Sequence, residues 1–421
     1  MTVQTDFDLL IVGGGMVGAS LACAVQHLPL RAGIIEASAP GAAHPSFDAR
    51  AIALSQGSKR ILESLGVWDA LERAGATAIR RIHVSDRGHF ATARLSAEEE
   101  GVEALGYVAE ASAMGRVFDD ALAQLRNLTW LRPAEVAAVS IDAACARVQV
   151  NTAAGTRSVT TRLLVAADGG RSSIRALLGE KSLRLPYGQT AVIAYVVTDR
   201  PHDFVAYERF TETGPLAMLP CRAMPGSAEA GHGDHRWSLV WTAKDEEVEG
   251  ILALSDEEFL ARLQARLGYR LGRVVSTGPR FAYPLALHFL RDYARPRVLF
   301  IGNAAHTIHP VGGQGYNLGL RDVAALAEVL ADAVRTYNDV GGPTVSDAYV
   351  AWRQPDYTRV LALTDGLARG FSSGIVPLAA ARGLGLLAIE LVPGARGLFA
   401  RQFMGFTGKQ PRLARGLRLT A

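Results

Sequence analysis

Three glycine-bearing turns, far apart in the chain, hold the residues whose types and spacing can do chemistry. The first is Gly13-Gly14-Gly15-Met16-Val17-Gly18, a G-x-G-x-x-G that follows the apolar run Phe7–Val12 and opens a helical stretch. Gly13 permits a tight turn, Gly15 lets a pyrophosphate approach the backbone, and Gly18 lets helix and strand pack closely. A second apolar run, Ala32–Ile35, ends in Glu36, near the spacing at which an acidic side chain accepts hydrogen bonds from a ribose. Strand, turn, helix, strand and acid in this order predict binding of an adenine dinucleotide. The second turn is Asp168-Gly169 after the apolar run 163–167, which alone would read as a turn with Asp168 capping the next helix. The third lies in 298–322, where a buried strand breaks into a loop with Gly302, Gly312, Gly313 and Gly315 before a long helix. Glycines this dense imply a backbone close to a ligand, and the helix start offers unpaired N–H groups to an anionic or electron-rich partner.

The elements that must position these turns follow from the hydrophobic pattern. Val- and Thr-rich runs at 136–141, 146–150 and 157–167 predict strands leading to the Asp168 turn. From 188 to 287 the alternation lengthens, with runs at 190–198, 204–210, 216–219 and 237–241 and one helix over Asp256–Leu267, which predicts a separate, mostly antiparallel sheet. A hairpin is expected over 82–95 around Asp86-Arg87-Gly88, and a helix over 111–125. Segments of the nucleotide-binding pattern flank the sheet segments, so the sheet is inserted into the nucleotide-binding domain.

Composition excludes several classes. The chain has 421 residues, 49% of them hydrophobic, enough for two domains. A net charge of +3, with Lys and Arg scattered, argues against a nucleic-acid partner. Cys23, Cys145 and Cys221 are far apart with no C-x-x-C, which predicts neither a disulfide framework nor a zinc site and fits a reducing cytoplasm. No signal-peptide pattern opens the chain, and Arg382, Glu390 and Arg396 interrupt its most apolar region, so a soluble or peripheral protein is expected. The Gly-, Leu- and Arg-rich region 374–406 is either a core-packing helix pair or an amphipathic surface that meets membrane or a partner enzyme.

The three turns in this order, with Gly302-Asn303-Ala304-Ala305-His306 as the third, resemble the single-component FAD-dependent aromatic hydroxylases, which have the para-hydroxybenzoate hydroxylase type of fold. The likeness covers nearly the whole chain. The segments 48–54, 84–89 (VSDRGH), 208–220 (ERFTETGPLAMLP), 283–287 (YPLAL) and 309–323 (HPVGGQGYNLGLRDV) sharpen it toward the ubiquinone-biosynthesis hydroxylases. The resemblance implies an α/β fold. A Rossmann-like FAD-binding domain (1–80, 106–185 and 288–345) would carry an inserted, mostly antiparallel β-sheet substrate domain (81–105 and 186–287), followed by C-terminal helices (346–421). It also implies NAD(P)H as a transient co-substrate, dioxygen, a flavin C4a-hydroperoxide and hydroxylation of a polyprenylated methoxyphenol. Other ubiquinone-biosynthesis enzymes and the surface of the inner membrane are the partners it suggests. Hydroxylation at another ring carbon, a prenyl reductase, or a flavin-bearing subunit without activity are the alternatives.

The same resemblance assigns residues. Gly13, Gly15, Gly18, Glu36, Arg50, Arg116, Asp168, Asn303, Gly315, Tyr316 and Asn317 would hold FAD, the last two through backbone N–H groups at the flavin pyrimidine edge. Asn303 departs from the Asp common in the superfamily, keeping an acceptor oxygen but losing a charge. Pro310 and Gly312 would line the oxygen-reacting face, and Tyr195, Arg209, Tyr283 and His288 are candidates for the substrate pocket. His306 and His309 have no third ligand nearby and are read as structural, with no metal expected.

Overall fold

The computed structural model describes residues 4–419 apart from 42–43, 45–46, 49, 88–91, 212, 227–229 and 373–393. Phe7–Val12 is almost wholly buried, as a parallel strand covered on both faces must be. It pairs in parallel with Ala32–Ile35 on one side and with the end of Gly155–Ala166 on the other. Val298–Phe300 adds in parallel beyond Gly155–Ala166, and Leu128–Leu131 adds beyond Ala32–Ile35. The helices Met16–Val25 and Gln314–Arg335 pack on each other over this sheet. Gly319 makes that approach close, because a Cβ there would stand 3.0 Å from Val17 Cγ2.

The second large sheet has nine strands, mostly antiparallel. Its longest strand, Ser182–Thr198, pairs with Arg236–Lys244 and with Phe281–Leu290, while Val205–Thr211 pairs in parallel with Arg81–Asp86. Side chains alternate between the faces with period two. One face carries Leu216, Met218, Leu239 and Trp241, packed on Phe259 and Leu263 of the helix Asp256–Leu267. Ser255 starts that helix with a reciprocal capping box to Glu258. A further short helix, Asp245–Leu252, joins the sheet to it; the acidic run Asp245-Glu246-Glu247 in its first turn suits a helix start.

The opposite face of the sheet looks toward a small three-stranded sheet of Ala51–Ser55, Gly106–Glu110 and Thr77–Ile79. The C-terminal helix Pro343–Ser372 packs on Gln314–Arg335. Most of the region 374–406 lies outside the described residues. Its described end, the helix Ala395–Phe403 and its C-cap Met404, packs Ala400 and Met404 onto Leu95, Ala97 and Leu105. Among the described residues, no helix is long and apolar enough to cross a membrane.

Candidate active site

The three turns leave the same edge of the sheet, from the C-terminal ends of neighbouring parallel strands. Gly13 N–H donates to Ile35 O at 2.8 Å, Ala167 N–H to Val12 O at 2.8 Å, and Ile301 N–H to Ala166 O at 3.0 Å, which locks the turns side by side. This is where open α/β sheets bind ligands.

Each turn is built differently. In the first, Gly13 has φ +102, and a Cβ on Gly18 would fall 1.9 Å from Gly13 O, so neither position admits a side chain. Glu36 accepts from Gly14 N–H at 2.6 Å and from Ser38 N–H at 2.7 Å, and lies 3.3 Å from His44 Nε2. Burial alone would raise its pKa, but the bonds from His44, Ser38 and Gly14 bring the carboxyl down to about 2. In the second turn Asp168 Oδ2 accepts from Ser173 Oγ and Ile174 N–H, while Oδ1 is buried without a partner. Arg175 ties this turn to the third by donating to Ala304 O at 2.9 Å.

The third turn is held by a carboxylate that the motif reading passed over. Asp322, fully buried, accepts from Gly302 N–H (2.9 Å), His306 Nε2 (2.8 Å), Arg353 Nε (2.8 Å) and Tyr357 O–H (2.8 Å). His306 is thereby a structural donor. His309 is buried edge-on to Tyr187, and burial pushes its pKa down to about 4. Asn303 is exposed at the turn.

The loop then enters the helix Gln314–Arg335 through Gly312 (φ +67) and Gly313 (φ +62), with Gly313 as cap. The unpaired N–H groups of the first turn are therefore those of Gln314, Gly315 and Tyr316, and Asn317 is where the helical ladder begins. Asn317 acts instead through its side chain. Its Oδ1 accepts from Ser55 N–H and Ser58 Oγ, and its Nδ2 donates to Ala53 O and Gly313 O. The Tyr316 hydroxyl meets Ser20 Oγ at 3.0 Å, under the first helix. A Cβ on Gly315 would meet nothing within 4 Å.

Between this loop and the nine-stranded sheet is a chamber of about 160 Å³. Ala53, Pro310, Gly312 and Phe403 close one side, and Ala206, Glu208, Pro215, Ala217, Val240 and Thr242 close the other. Pro310 and Gly312 thus both line the chamber. Glu208 was missed. It is half-buried, its remaining exposure lying in the chamber, and Gly312 N–H donates to it. A lone acidic residue on a strand of buried alternation was the available signal.

The four expected pocket residues do not line the chamber. Arg209 is one residue along from Glu208 and so on the opposite face, donating to Leu267 O at 2.8 Å. Tyr195 lies under the guanidinium of Arg236, 3.6 Å from its ring centroid. Tyr283 donates to Asp48 Oδ2 at 2.7 Å, with Arg50 stacked over its ring. His288 is buried opposite Thr307, its pKa pushed by burial down to about 4. Arg50 itself is bound to Asp48, beside the chamber wall. Arg116 lies exposed on the helix Ala111–Ala123, donating to Met224 Sδ.

The arrangement fits FAD. A glycine turn closed to side chains leads into a helix N-terminus, Asp168 Oδ1 is a buried acceptor without a partner, and open space lies over Gly315. A family model described as an FAD binding domain matches residues 6–364. The chain is 40% identical over 423 residues to the ubiquinone hydroxylase UbiL of Rhodospirillum rubrum, which spans 98% of this chain and 93% of that protein. It is 30% identical over 388 residues to the 3-demethoxyubiquinol 3-hydroxylase of Escherichia coli, with 91% and 94% covered. The crystal structure of p-nitrophenol 4-monooxygenase PnpA from Pseudomonas putida DLL-E4 superposes with a TM-score of 0.76 at 17% identity, over 97% of this chain and 99% of that one, a likeness of fold.

Proposed function

The chain belongs to the FAD-binding-domain family of flavin-dependent aromatic hydroxylases, and on that premise we propose that it is a monooxygenase of ubiquinone biosynthesis that hydroxylates the ring of a polyprenylated methoxyphenol. Bound FAD supplies electron transfer from NAD(P)H and the activation of dioxygen; the chain supplies binding, orientation and exclusion of water. The Gly13–Gly18 turn would hold the pyrophosphate at the start of Met16–Val25, Glu36 the ribose, and Asp168 Oδ1 and Asn303 hydroxyls of the cofactor chain. N–H groups at Gln314, Gly315 and Tyr316 present a helix N-terminus to negative charge at the ring edge.

The observation that carries this reading is the chamber itself. It opens beside that helix start, its lining is mostly apolar, and Pro310 and Gly312 keep the wall on the cofactor side thin. An aromatic ring held there is shielded from water and oriented by few polar groups. The name of one relative, a 3-demethoxyubiquinol 3-hydroxylase, keeps another ring carbon in play.

Purified holoprotein given NAD(P)H, ¹⁸O₂ and a short-tailed methoxyphenol should oxidise NAD(P)H faster with the phenol present and place ¹⁸O on its ring. The position of the label separates the ring carbons. A bound flavin that stays unreactive with every phenol offered would instead favour a subunit without catalysis.

A further inference from the structure

We infer that Glu208 meets the hydroxyl of the phenol bound in the chamber and takes its proton during ring hydroxylation, a role that rests on the hydroxylase reading above. The geometry is specific. On Val205–Thr211, Ala206, Glu208 and Phe210 share a face, and register puts Val84 beside Glu208 on one neighbouring strand and Ala217 on the other. That face is the chamber wall. Glu208 is the one carboxylate among the described lining residues, and no Lys, Arg or His is among them. Gly312 N–H donates to it from the opposite wall, which fixes the carboxyl across the chamber and leaves acceptor positions for a ligand.

The charged and titratable groups around it are few. Tyr207 adjoins it on the strand, and Asp86 shares its face at the far end of Arg81–Asp86, level with Phe210. The strand Gly214–Pro220 carries none. On the loop side, His309 is neutral against Tyr187, and Arg50 is held by Asp48. On Ala395–Phe403, Arg396 pairs with Glu99 and Arg401 is exposed. The helix Pro343–Ser372 contacts this strand and carries Asp365 and Arg369 in its sequence. Burial, partly offset by the Gly312 N–H, raises the Glu208 carboxyl to about 7, so proton uptake and release are both accessible near neutrality.

The step balances. As the ring carbon para to the hydroxyl bonds to one oxygen of O₂, the O–O bond breaks and its electron pair goes to the other oxygen, which ends as water with the two electrons that NAD(P)H supplies. The O–H bond of the phenol breaks and its proton passes to Glu208, leaving a dienone. The ring C–H proton then leaves to water, and the proton on Glu208 returns to the dienone oxygen, which restores both the aromatic ring and the carboxylate.

The test needs no turnover. A short-tailed methoxyphenol and its O-methyl ether, which cannot donate, are titrated into the oxidised holoenzyme and followed by flavin fluorescence from about pH 5.5 to about pH 8.5, below the phenol's own pKa near 10. The phenol should bind about tenfold tighter at the upper end, where the carboxylate accepts a charge-assisted bond, while the ether stays flat. In Glu208→Gln the phenol should become flat as well. An unchanged phenol affinity across the range overturns the assignment, and so does an equal rise for the ether or a rise that survives in Glu208→Gln. If that variant does not fold, the wild-type pair of profiles decides alone. Ring-labelled product with a flat binding profile sinks only the role of Glu208. The predicted profile without ring label sinks only the hydroxylase reading, and no phenol binding at all sinks both.

Discussion

Two carboxylates approach the loop 302–313 from opposite sides, and they are treated in opposite ways. Asp322 has four donors and its pKa is brought down to about 2: burial alone would raise it, and Arg353, His306 and Gly302 N–H overcome that. Glu208 has, among the described residues, Gly312 N–H alone and is raised to about 7. Burial opposes the charged form in both, and the number of donors decides the outcome. The saturated carboxylate is scaffold. The under-supplied one is held ready to exchange a proton, at a cost in stability.

The largest expected effect is on the scaffold side. Asp322→Ala removes one of the two carboxylates that hold the buried Arg353, leaving Asp356, and frees Gly302 N–H and His306, so it should cost about 3 kcal/mol in urea unfolding and release the flavin. A variant as stable as wild type would remove the contrast altogether.

The next test has the reverse sign. A raised folded pKa means that the native state binds the proton more tightly, so Glu208 costs nothing near pH 4 and progressively more as pH rises through 7. Glu208→Gln should therefore stabilise the protein by about 2 kcal/mol at pH 8 and by close to nothing at pH 4.5. For Asp322 the depressed pKa gives stability that is full above about pH 4 and is lost as pH falls toward 2. Thermal melts of wild type and both variants across this range read the two signs directly, and a destabilised Glu208→Gln at pH 8 would break the comparison.

The smallest effect sharpens the boundary of the chamber. Tyr283→Phe removes the bond to Asp48 and should cost about 1 kcal/mol without changing phenol affinity, because Tyr283 lies outside the lining. A tenfold loss of phenol binding would put Tyr283 back in the pocket.

The sequence made the glycine turns legible because glycine answers to local geometry. The positive φ of Gly13 and the contact of Gly18 with Gly13 O are settled within six residues of chain. The inserted sheet was legible through its alternation. Which face of a strand meets which partner was not, and a one-residue difference put Arg209 forward instead of Glu208. Asp322 was hidden for a related reason: its donors are Gly302 and His306 of the loop before its own helix and Arg353 and Tyr357 of Pro343–Ser372, which only tertiary packing brings together. The helix Asp245–Leu252 escaped because eight residues, three of them acidic at the start, carry little periodicity.

The central claim is that three distant turns grip one FAD beside the chamber, and Gly315 offers its most direct test. A Cβ there meets no protein atom within 4 Å, and the side chain it carries would enter the space assigned to the cofactor. Apo Gly315→Leu should be as stable as wild type or up to about 1 kcal/mol more stable, since Leu is the better helix former. Its affinity for FAD, titrated into the apoprotein, should fall by at least about tenfold, on the order of 1.4 kcal/mol. FAD binding with wild-type affinity and one-to-one stoichiometry in that variant would contradict the account.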